Sequence, residues 1–386
     1  MASEGRPRDA AGTAHVPELD GIRGVAIAGV ILVHFVATMF EQPQNLIERV
    51  SGKITGYGMW GVDLFFVLSG YLITGILSDT RESPRYFKAF YMRRTLRIFP
   101  LYYGVLLLLI VLIPRSLVAA YAPEGLKMRT EQIWLWTYLT NVYCAKEGTF
   151  AIPYVSHFWT LAIEEHFYLF WPLVIRLASR VNAMRIAILL SVLGLGLRLW
   201  FRLSGYNEMW AQVLTPSRLD SLCIGAWFAL AIRGPEGELA IGRNLPKWLW
   251  GSAAALVALM VVPKSVLPHD VNLPIKETVL AVLSGSLIFA VAWKEGPAAF
   301  KAAMRLPALR FLGKYSYGLY VFHAIIAYGC WRHRTATYLE PLVGGSYTAA
   351  VLLQTVLGTA LSLLVAVASY HLYEVRFLTL KKWFRA

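Results

Sequence analysis

One arginine and one histidine interrupt the apolar run GIRGVAIAGVILVHF at residues 21–35. Arg23 and His34 are eleven residues apart, about three turns of α-helix, so they share a face and lie about 16 Å apart along the axis. Ionisable groups in membrane hydrocarbon are costly and normally face a bundle interior or a watery cavity. The pattern predicts a cation at a cavity mouth and a titratable base deep inside. Snorkelling by Arg23 and an interhelical hydrogen bond by His34 are the structural alternatives.

Carboxylates also occur inside apolar segments. The stretch SHFWTLAIEEHFYLFWPL at residues 156–173 carries Glu164 and Glu165, and helical spacing places Glu164 and Tyr168 on one face. Asp63 enters the run GVDLFFVLSGYLITGIL at residues 61–77. Such groups require a polar environment within the membrane. The sequence therefore predicts a polar bundle interior, although a packing or capping role for any one carboxylate remains an alternative.

The run at residues 61–77 is further interrupted by Ser69 and Gly70, and Tyr71 follows them. Small residues let two helices approach closely, which is the structural interpretation of this pair. Their other use is to open a groove for a substrate. Both interpretations stay open at the level of sequence.

Three arginines stand in FYMRRTLRIFPLYY at residues 90–103, just before a predicted span. Arg94 and Arg97 share a helical face, with Arg93 beside them. Juxtamembrane arginines usually contact lipid phosphates. Guanidinium groups also bind phosphate through two hydrogen bonds, so a cytoplasmic cofactor with several phosphates is the functional interpretation.

Three later segments carry further polar residues. SRLDSLCIGA contains Arg218 and Asp220, LGKYSYGLYVFH ends at His323, and YHLYEVRF contains Glu374. Taken singly, each is best interpreted as an interhelical hydrogen bond or an interfacial anchor.

These residues must be positioned by membrane helices. The chain has 386 residues, of which 57% are hydrophobic and 16% are charged, a composition far from that of a soluble domain. Apolar stretches close to the roughly 20 residues needed to cross a bilayer recur throughout. We therefore predict an all-α polytopic membrane protein with about ten transmembrane helices, at roughly 22–40, 58–78, 98–114, 157–178, 184–203, 218–233, 247–263, 276–294, 313–331 and 347–374.

The flanks of the predicted spans indicate an orientation. Most Lys and Arg residues fall on one side of the membrane that the predicted spans would cross, and cytoplasmic flanks retain such residues. We therefore expect a multi-pass protein of the cell inner or plasma membrane, with both termini in the cytoplasm. The polar first 15 residues do not resemble a cleaved signal, so the first span is expected to remain as an anchor. The net charge of +14 is then explained by this asymmetry, and we predict no nucleic-acid partner. The three cysteines form no metal-binding spacing, and no metal site is predicted.

Taken together, the motifs resemble those of the membrane-bound acyltransferase 3 family from about Leu19 to Glu374. ELDGIRGVAIAGVILVHF matches the family's opening helix, GVDLFFVLSGYLI its second, RRTLRIFP its third and SHFWTLAIEEHFYLFWP a later segment, while RLDSLCIG and LGKYSYGLYVFH match segments further on. Thr160 stands where the family usually has Ser. No appended esterase-like domain follows the last predicted span, so a hand-over to one is expected to need a separate protein.

The resemblance implies transfer of an acyl group, usually acetyl, from coenzyme A to a hydroxyl. It implies catalytic roles for His34 and Arg23 and donor binding by Arg94 and Arg97. To these we add Glu164 as a catalytic residue and Arg93 as a donor-binding residue. Supporting or substrate-binding roles are expected for Asp20, Asp63, Ser69, Gly70, Tyr71, Tyr168, Arg218, Asp220 and His323. The predicted acceptor is a glycan, a lipid-linked saccharide or a macrolide-like metabolite.

The expected mechanism has neutral His34 as general base, with Glu164 orienting it or sharing its proton. Tyr71, Tyr168 and Arg23 are candidate donors to the oxyanion. A variant has His34 itself acylated first. The acyltransferase domain is predicted at residues 19–376, between polar tails at 1–18 and 377–386. A transporter of an acidic or glycosidic solute and a structural scaffold are the alternatives.

Overall fold

The structure, a computed structural model, describes residues 16–235 and 237–385. All regular elements in these two ranges are helical, and no strand occurs in them. This confirms the predicted all-α class. Most of the polar tail predicted at residues 1–18 lies outside the described residues.

Ten of the described helices have at least 13 residues and follow the order of the ten predicted spans. They are α1 (Pro17–Phe35), α2 (Trp60–Asp79), α3 (Tyr86–Leu106), α4 (Trp159–Leu177), α5 (Arg180–Leu203), α6 (Leu219–Ala231), α7 (Gly237–Val261), α8 (His269–Ala292), α9 (Ser316–Arg332) and α10 (Tyr347–Ser369). Shorter α-helices connect them, at Leu46–Gly56, Arg115–Tyr121, Leu126–Thr130, Gln132–Trp136, Thr140–Glu147, Glu208–Val213, Ala298–Met304, Pro307–Lys314, Thr335–Leu339 and Val375–Thr379.

Six helical segments of the described chain are long and apolar enough to cross a membrane. They contain α1, α2, α3, α5, α8 and α10. Among the others, α6 and α9 have only 13 and 17 residues, and α4 carries Glu164 and Glu165. The chain is therefore a multi-pass membrane protein, while the count of ten spans stays a prediction.

The third helix begins earlier than predicted. The expected span started at residue 98, but α3 already begins at Tyr86 and carries Arg93, Arg94 and Arg97 within it. The apolar residues indicated only the second half of this helix, whereas the backbone is already helical in the basic segment before it. The three arginines therefore lie within a regular helix, as the predicted helical face of Arg94 and Arg97 requires.

The apolar side chains of α5 and α10 point outward. Val192, Leu193 and Leu203 of α5 and Val356 and Leu364 of α10 are all exposed. Such an apolar surface is suited to contact with lipid chains, because these side chains are then not exposed to water. Buried polar residues lie instead on α2, α4 and α6, among them Asp63, Ser69, Thr160, Asp220 and Ser221.

The helices α2 and α6 cross with their backbones in close contact. A side chain added at Gly70 would meet the backbone carbonyl of Leu222, and one added at Gly225 would meet that of Val67. Glycines at such a crossing allow two backbones to touch. Gly70 therefore serves helix packing, which was the structural interpretation of the Ser69 and Gly70 pair.

We expect Gly225→Ala to lower the free energy of unfolding by about 1–3 kcal/mol, because overpacking would force α2 and α6 apart. The measurement is the thermal unfolding midpoint of the purified protein in detergent. Gly251→Ala is the matched control, since nothing lies within 4 Å of a Cβ at that position. Equal midpoints for the two variants would contradict the tight crossing.

Candidate active site

A cavity of about 540 Å³ opens at the end of the bundle where α1 begins and α2 ends. We call it the basic cavity, because six cationic side chains and three carboxylates of the described residues line it. Nine predicted site residues stand in its wall: Asp20, Arg23, Ser69, Tyr71, Arg93, Arg94, Arg97, Glu164 and Tyr168.

Three guanidinium groups of the basic cavity lie close enough to repel one another. Arg23 donates a 2.5 Å hydrogen bond to Asp20 one turn earlier on α1. Arg94 lies over the ring of Tyr168, 4.3 Å from its centroid, and its Nε is buried with no hydrogen-bond partner. Arg97 is within electrostatic reach of both other arginines. Such a cluster is stabilised by a polyanionic ligand, because the ligand cancels the mutual repulsion.

Two cations of this cavity were missed by the sequence analysis. Arg233, at the end of α6, donates hydrogen bonds of 2.6 and 2.7 Å to the two carboxylate oxygens of Asp79. Lys381 comes from the C-terminal segment. In the sequence, both residues stand in basic segments that flank predicted spans. Such segments by themselves indicate the orientation of the chain in the membrane rather than a binding site.

Glu164 belongs to the wall of the basic cavity. Its carboxylate interacts with Arg94 and with the hydroxyls of Ser69 and Tyr168, which also bond to each other. The predicted pairing of Glu164 with Tyr168 on one helix face is therefore present. The structure does not bring Glu164 against His34, whose described side-chain bond is to the carbonyl of Val30.

Two hydroxyls close the inner end of the basic cavity. Thr160 and Tyr320 line it and are hydrogen-bonded to each other. The Tyr320 hydroxyl also donates to the carbonyl of His157 at 2.5 Å. Behind this pair, the Tyr320 ring lies 5.3 Å from that of His157 and 5.7 Å from that of His323.

His34 belongs to a group of three imidazoles, which we call the histidine cluster: His34, His157 and His323. The rings of His34 and His323 meet edge to face at 4.9 Å, and His157 lies 5.7 Å from His323. His34 lines neither of the two cavities described here. The sequence predicted one cavity from Arg23 to His34, whereas the described lining of the basic cavity includes Arg23, Thr160 and Tyr320 but not His34.

Helix geometry fixes which ring nitrogens carry protons. Nδ1 of His34 lies 2.9 Å from the carbonyl of Val30, four residues earlier, and Nδ1 of His323 lies 2.9 Å from the carbonyl of Leu319. A carbonyl can only accept, so each neutral ring carries its proton on Nδ1 and keeps a lone pair on Nε2. The Nε2 of His323 is buried without a partner. The arrangement leaves His34 with a basic nitrogen of defined position.

A second cavity of about 370 Å³ lies at the other end of α2. We call it the ion-pair cavity. Arg218 forms salt bridges with Asp63 and, at 3.2 Å, with Glu277, while Arg198 pairs with Glu277 at 2.6 Å and with Asp220. The predicted supporting residues Asp63, Arg218 and Asp220 are therefore held here, away from the arginines of the basic cavity.

Arg198 and Glu277 are the members of this network that the predicted site lacked. Arg198 stood inside an apolar span, and an intramembrane charge is itself a signal for a buried polar site. Glu277 lay near the predicted start of a span and resembled a flanking residue. In residues 16–235 and 237–385, no three His, Cys, Asp or Glu side chains come together in an arrangement that could hold a metal ion.

Comparison with protein families gives one match that covers nearly the whole chain. The acyltransferase domain of the acyltransferase 3 family matches residues 16–371. No solved structure matches significantly.

Curated relatives are found in Staphylococcus aureus. The O-acetyltransferase OatA of strain NCTC 8325 is 28% identical over 328 residues, which are 80% of this chain and 50% of that protein. A protein of strain COL, provisionally named an O-acetyltransferase, is 29% identical over 332 residues, or 81% of this chain and 51% of its own length. The chain thus spans about half the length of the curated relatives that it matches.

Proposed function

The chain belongs to the acyltransferase 3 family and is an acyltransferase, and on that basis we propose that it transfers acetyl from acetyl-coenzyme A to a hydroxyl of a glycan or glycosylated lipid. Family membership decides against a protein that only transports. The observation that carries the proposal is a basic cavity whose inner end abuts the histidine cluster. The acetyltransferase names of the relatives support acetyl as the acyl group.

The donor is assigned to the basic cavity by charge. Coenzyme A carries several phosphate charges at one end and a thioester at the other, so it complements a cavity with six cations and three carboxylates among its described lining residues. Arg23, Arg94 and Arg97 are the proposed phosphate ligands. The apolar wall further in, with Phe65 and Leu161, suits the uncharged arm that carries the thioester.

The proposed step uses His34 as the base. Its Nε2 takes the proton of the acceptor hydroxyl while that oxygen attacks the thioester carbonyl carbon. The carbon–sulfur bond then breaks, and the protonated imidazole returns the proton to the leaving thiolate. A base positioned in this way contributes about 10²–10⁴ in rate. The Tyr320 ring in the cavity wall lies beside the rings of His157 and His323, so we place the path of the acetyl group to His34 along Tyr320.

Orientation and domain limits complete the proposal. We assign the basic cavity to the cytoplasmic side, where coenzyme A is present, and place both termini there. Residues 19–376 form the proposed acyltransferase domain, followed by a cytoplasmic basic tail at 377–386. The predominance of Lys and Arg at this end of the bundle supports the assignment.

Mass spectrometry of surface glycans and secreted metabolites tests the function in a deletion host. The host is complemented with the wild type or with His34→Ala at matched membrane abundance. One additional acetyl group restored only by the wild type supports the proposal and identifies the acceptor. Restoration by both proteins would show that His34 is not required and would overturn the mechanism.

Arg97→Ala is expected to raise the KM for acetyl-coenzyme A by about 10–100-fold, because one charged hydrogen bond to phosphate is lost. Little change in kcat is expected, because the phosphate contact stabilises the bound donor and the transition state equally. Initial rates of thiol release over a range of donor concentrations measure both constants. Arg310→Ala, an exposed arginine outside the cavity, is the control. A collapse of kcat at unchanged donor KM would rule out a donor clamp.

A further inference from the structure

The basic cavity follows almost the whole length of α2. Asp79 lines it at the mouth and Val62 at the inner end, and the helix between these two residues is about 25 Å long at 1.5 Å per residue. Arg233 stands beside Asp79 at the mouth, whereas Phe65 and Leu161 line the cavity further in. A donor whose phosphates lie among the cations therefore extends its uncharged end toward the start of α2.

The inner end of the basic cavity lies near the level of the proposed base. Gly61 precedes Val62 and packs against α1, where an added side chain would meet the carbonyl of Ala26 at 2.4 Å and Cγ2 of Val30 at 3.2 Å. His34 is one turn beyond Val30 and bonds to its carbonyl. The thioester of a donor that fills the cavity is therefore expected at this inner end, with its acyl group against the inner wall.

We propose that the ring of Phe66 is the wall at which the acyl group ends, and that it restricts the donor to acyl chains of two or three carbons. This inference rests on the proposed transfer from coenzyme A and names the residue that selects the acyl group. Three observations carry it: the place of the ring between the two cavities, the side chains that hold it there, and the fixed hydroxyls beside it.

The Phe66 ring stands between the two cavities. It lines the basic cavity and is 1% exposed. Val62, one turn earlier on α2, lines both cavities, so the two volumes approach each other at this point. Trp159 and Arg218, which line the ion-pair cavity, contact Phe66 from that side. The ring therefore closes the inner end of the basic cavity toward the ion-pair cavity.

Both of these neighbours hold the ring in place. The ring of Trp159 meets that of Phe66 edge to face at 6.1 Å, and the guanidinium carbon of Arg218 lies 5.7 Å from the Phe66 centroid. Arg218 is itself held by salt bridges to Asp63 and, at 3.2 Å, to Glu277. Turning the Phe66 ring toward the ion-pair cavity would thus displace a guanidinium group that two carboxylates fix.

A fixed wall selects its ligand by length. Close-packed side chains make room for added methylene groups only by moving their neighbours, and one methylene in such a pocket changes selectivity by about 10–200-fold. Thr160 and Tyr320 at the same inner end are hydrogen-bonded to each other, so that part of the wall is also fixed. Butyryl and hexanoyl exceed acetyl by two and four methylene groups, and we expect the wall to reject both.

Donor analogues of graded chain length test the proposal without an acceptor. In ketone analogues of acetyl-, butyryl- and hexanoyl-coenzyme A, CH₂ replaces the thioester sulfur, so the acyl group cannot leave. Isothermal titration calorimetry with the purified full chain in lipid nanodiscs gives their dissociation constants, and empty nanodiscs correct for binding to lipid. For the wild type, we expect the butyryl and hexanoyl analogues to bind at least tenfold more weakly than the acetyl analogue.

Variants of Phe66 are expected to change this selectivity in steps. In Phe66→Ala the space of the ring becomes free for the chain, so the hexanoyl analogue should bind within threefold of the acetyl analogue. In Phe66→Leu less space is freed, so the butyryl analogue should be accepted while the hexanoyl analogue is still rejected. If Phe66→Ala does not accumulate in the membrane, Phe66→Leu carries the test by itself.

Two controls separate chain-length selection from general effects. Phe167 is 0% exposed, stacks on Trp171 and does not line the basic cavity. Phe167→Ala therefore removes a buried ring of the same size and should keep the selectivity of the wild type. Arg97→Ala should weaken all three analogues by the same factor, because it removes a phosphate contact at the other end of the donor.

The outcomes distinguish this proposal from the proposed function. If all three analogues bind the wild type within threefold of one another, or if both Phe66 variants keep the wild-type selectivity, the wall is not Phe66 and the donor assignment stands. A change in selectivity in Phe167→Ala as large as that in Phe66→Ala would also overturn the proposal. If the acetyl analogue does not bind the wild type at all, the donor assignment falls, and the proposal falls with it.

Discussion

Replacing His34 by alanine is expected to lower kcat for acetyl transfer by about 10²–10⁴, the contribution of a positioned general base. The reason is the ring's geometry: Nδ1 is occupied by the carbonyl of Val30 at 2.9 Å, which leaves the Nε2 lone pair for the acceptor proton. The KM for the donor should change little, because the phosphate ligands lie in the basic cavity. Acceptor-dependent thiol release by the purified enzyme measures both constants.

The control for this prediction is His333→Ala, an exposed histidine at the end of α9. It removes an imidazole without touching the histidine cluster, so wild-type rates are expected. Turnover of His34→Ala near the wild-type value would remove His34 from the chemistry. His34→Gln should be as inactive as the alanine variant, since an amide fills the space but accepts no proton at neutral pH.

A second readout distinguishes direct transfer from an acyl-enzyme. In direct transfer, labelled donor supplied without acceptor leaves no label on the protein. If His34 itself becomes acetylated, the wild type retains label that His34→Ala does not. This test is informative because His34 is not among the described lining residues of the basic cavity, so an acyl-imidazole would carry the acetyl group beyond that lining.

Arg198→Ala is expected to cost about 3–5 kcal/mol of unfolding free energy, because it leaves the buried carboxylate of Asp220 without its salt-bridge partner. The Arg198 side chain is 1% exposed, donates to Glu277 at 2.6 Å and to the Thr278 hydroxyl at 2.7 Å, and also pairs with Asp220. The variant should show a lower thermal midpoint or fail to accumulate in the membrane. Few single changes in this chain should be as disruptive.

Two further variants make this prediction decisive. Arg198→Lys keeps the charge but cannot reach all three partners with one ammonium, so an intermediate loss is expected. Arg185→Ala, an exposed arginine of the same helix α5, should leave the midpoint unchanged. If Arg198→Ala matched the wild type in thermal midpoint and membrane abundance, the network would not contribute to stability.

Residue spacing predicted contacts within one helix, but it did not predict contacts between helices. Glu164 and Tyr168 lie together because a spacing of four residues fixes their relation within one helix. Glu164 and His34 belong to different helices, and no spacing rule relates them. The same holds for Asp63 and Arg218, which are 155 residues apart in the chain and form a buried salt bridge.

What the sequence determined by itself was the class of protein. Apolar composition and the order of helical segments follow from residue type and local periodicity, since these depend on neighbours within a few turns. The acyltransferase family was recognised from the resemblance of the motifs, and Arg23, Arg93, Arg94 and Arg97 of the basic cavity lie within those motifs. The tertiary structure decided the division into two cavities, the position of His34 in the histidine cluster rather than in the lining of the basic cavity, and the partners of Arg198. Those depend on which helix faces fill the space between segments distant in the chain, because close packing leaves a cavity only where neighbouring side chains fail to fill it.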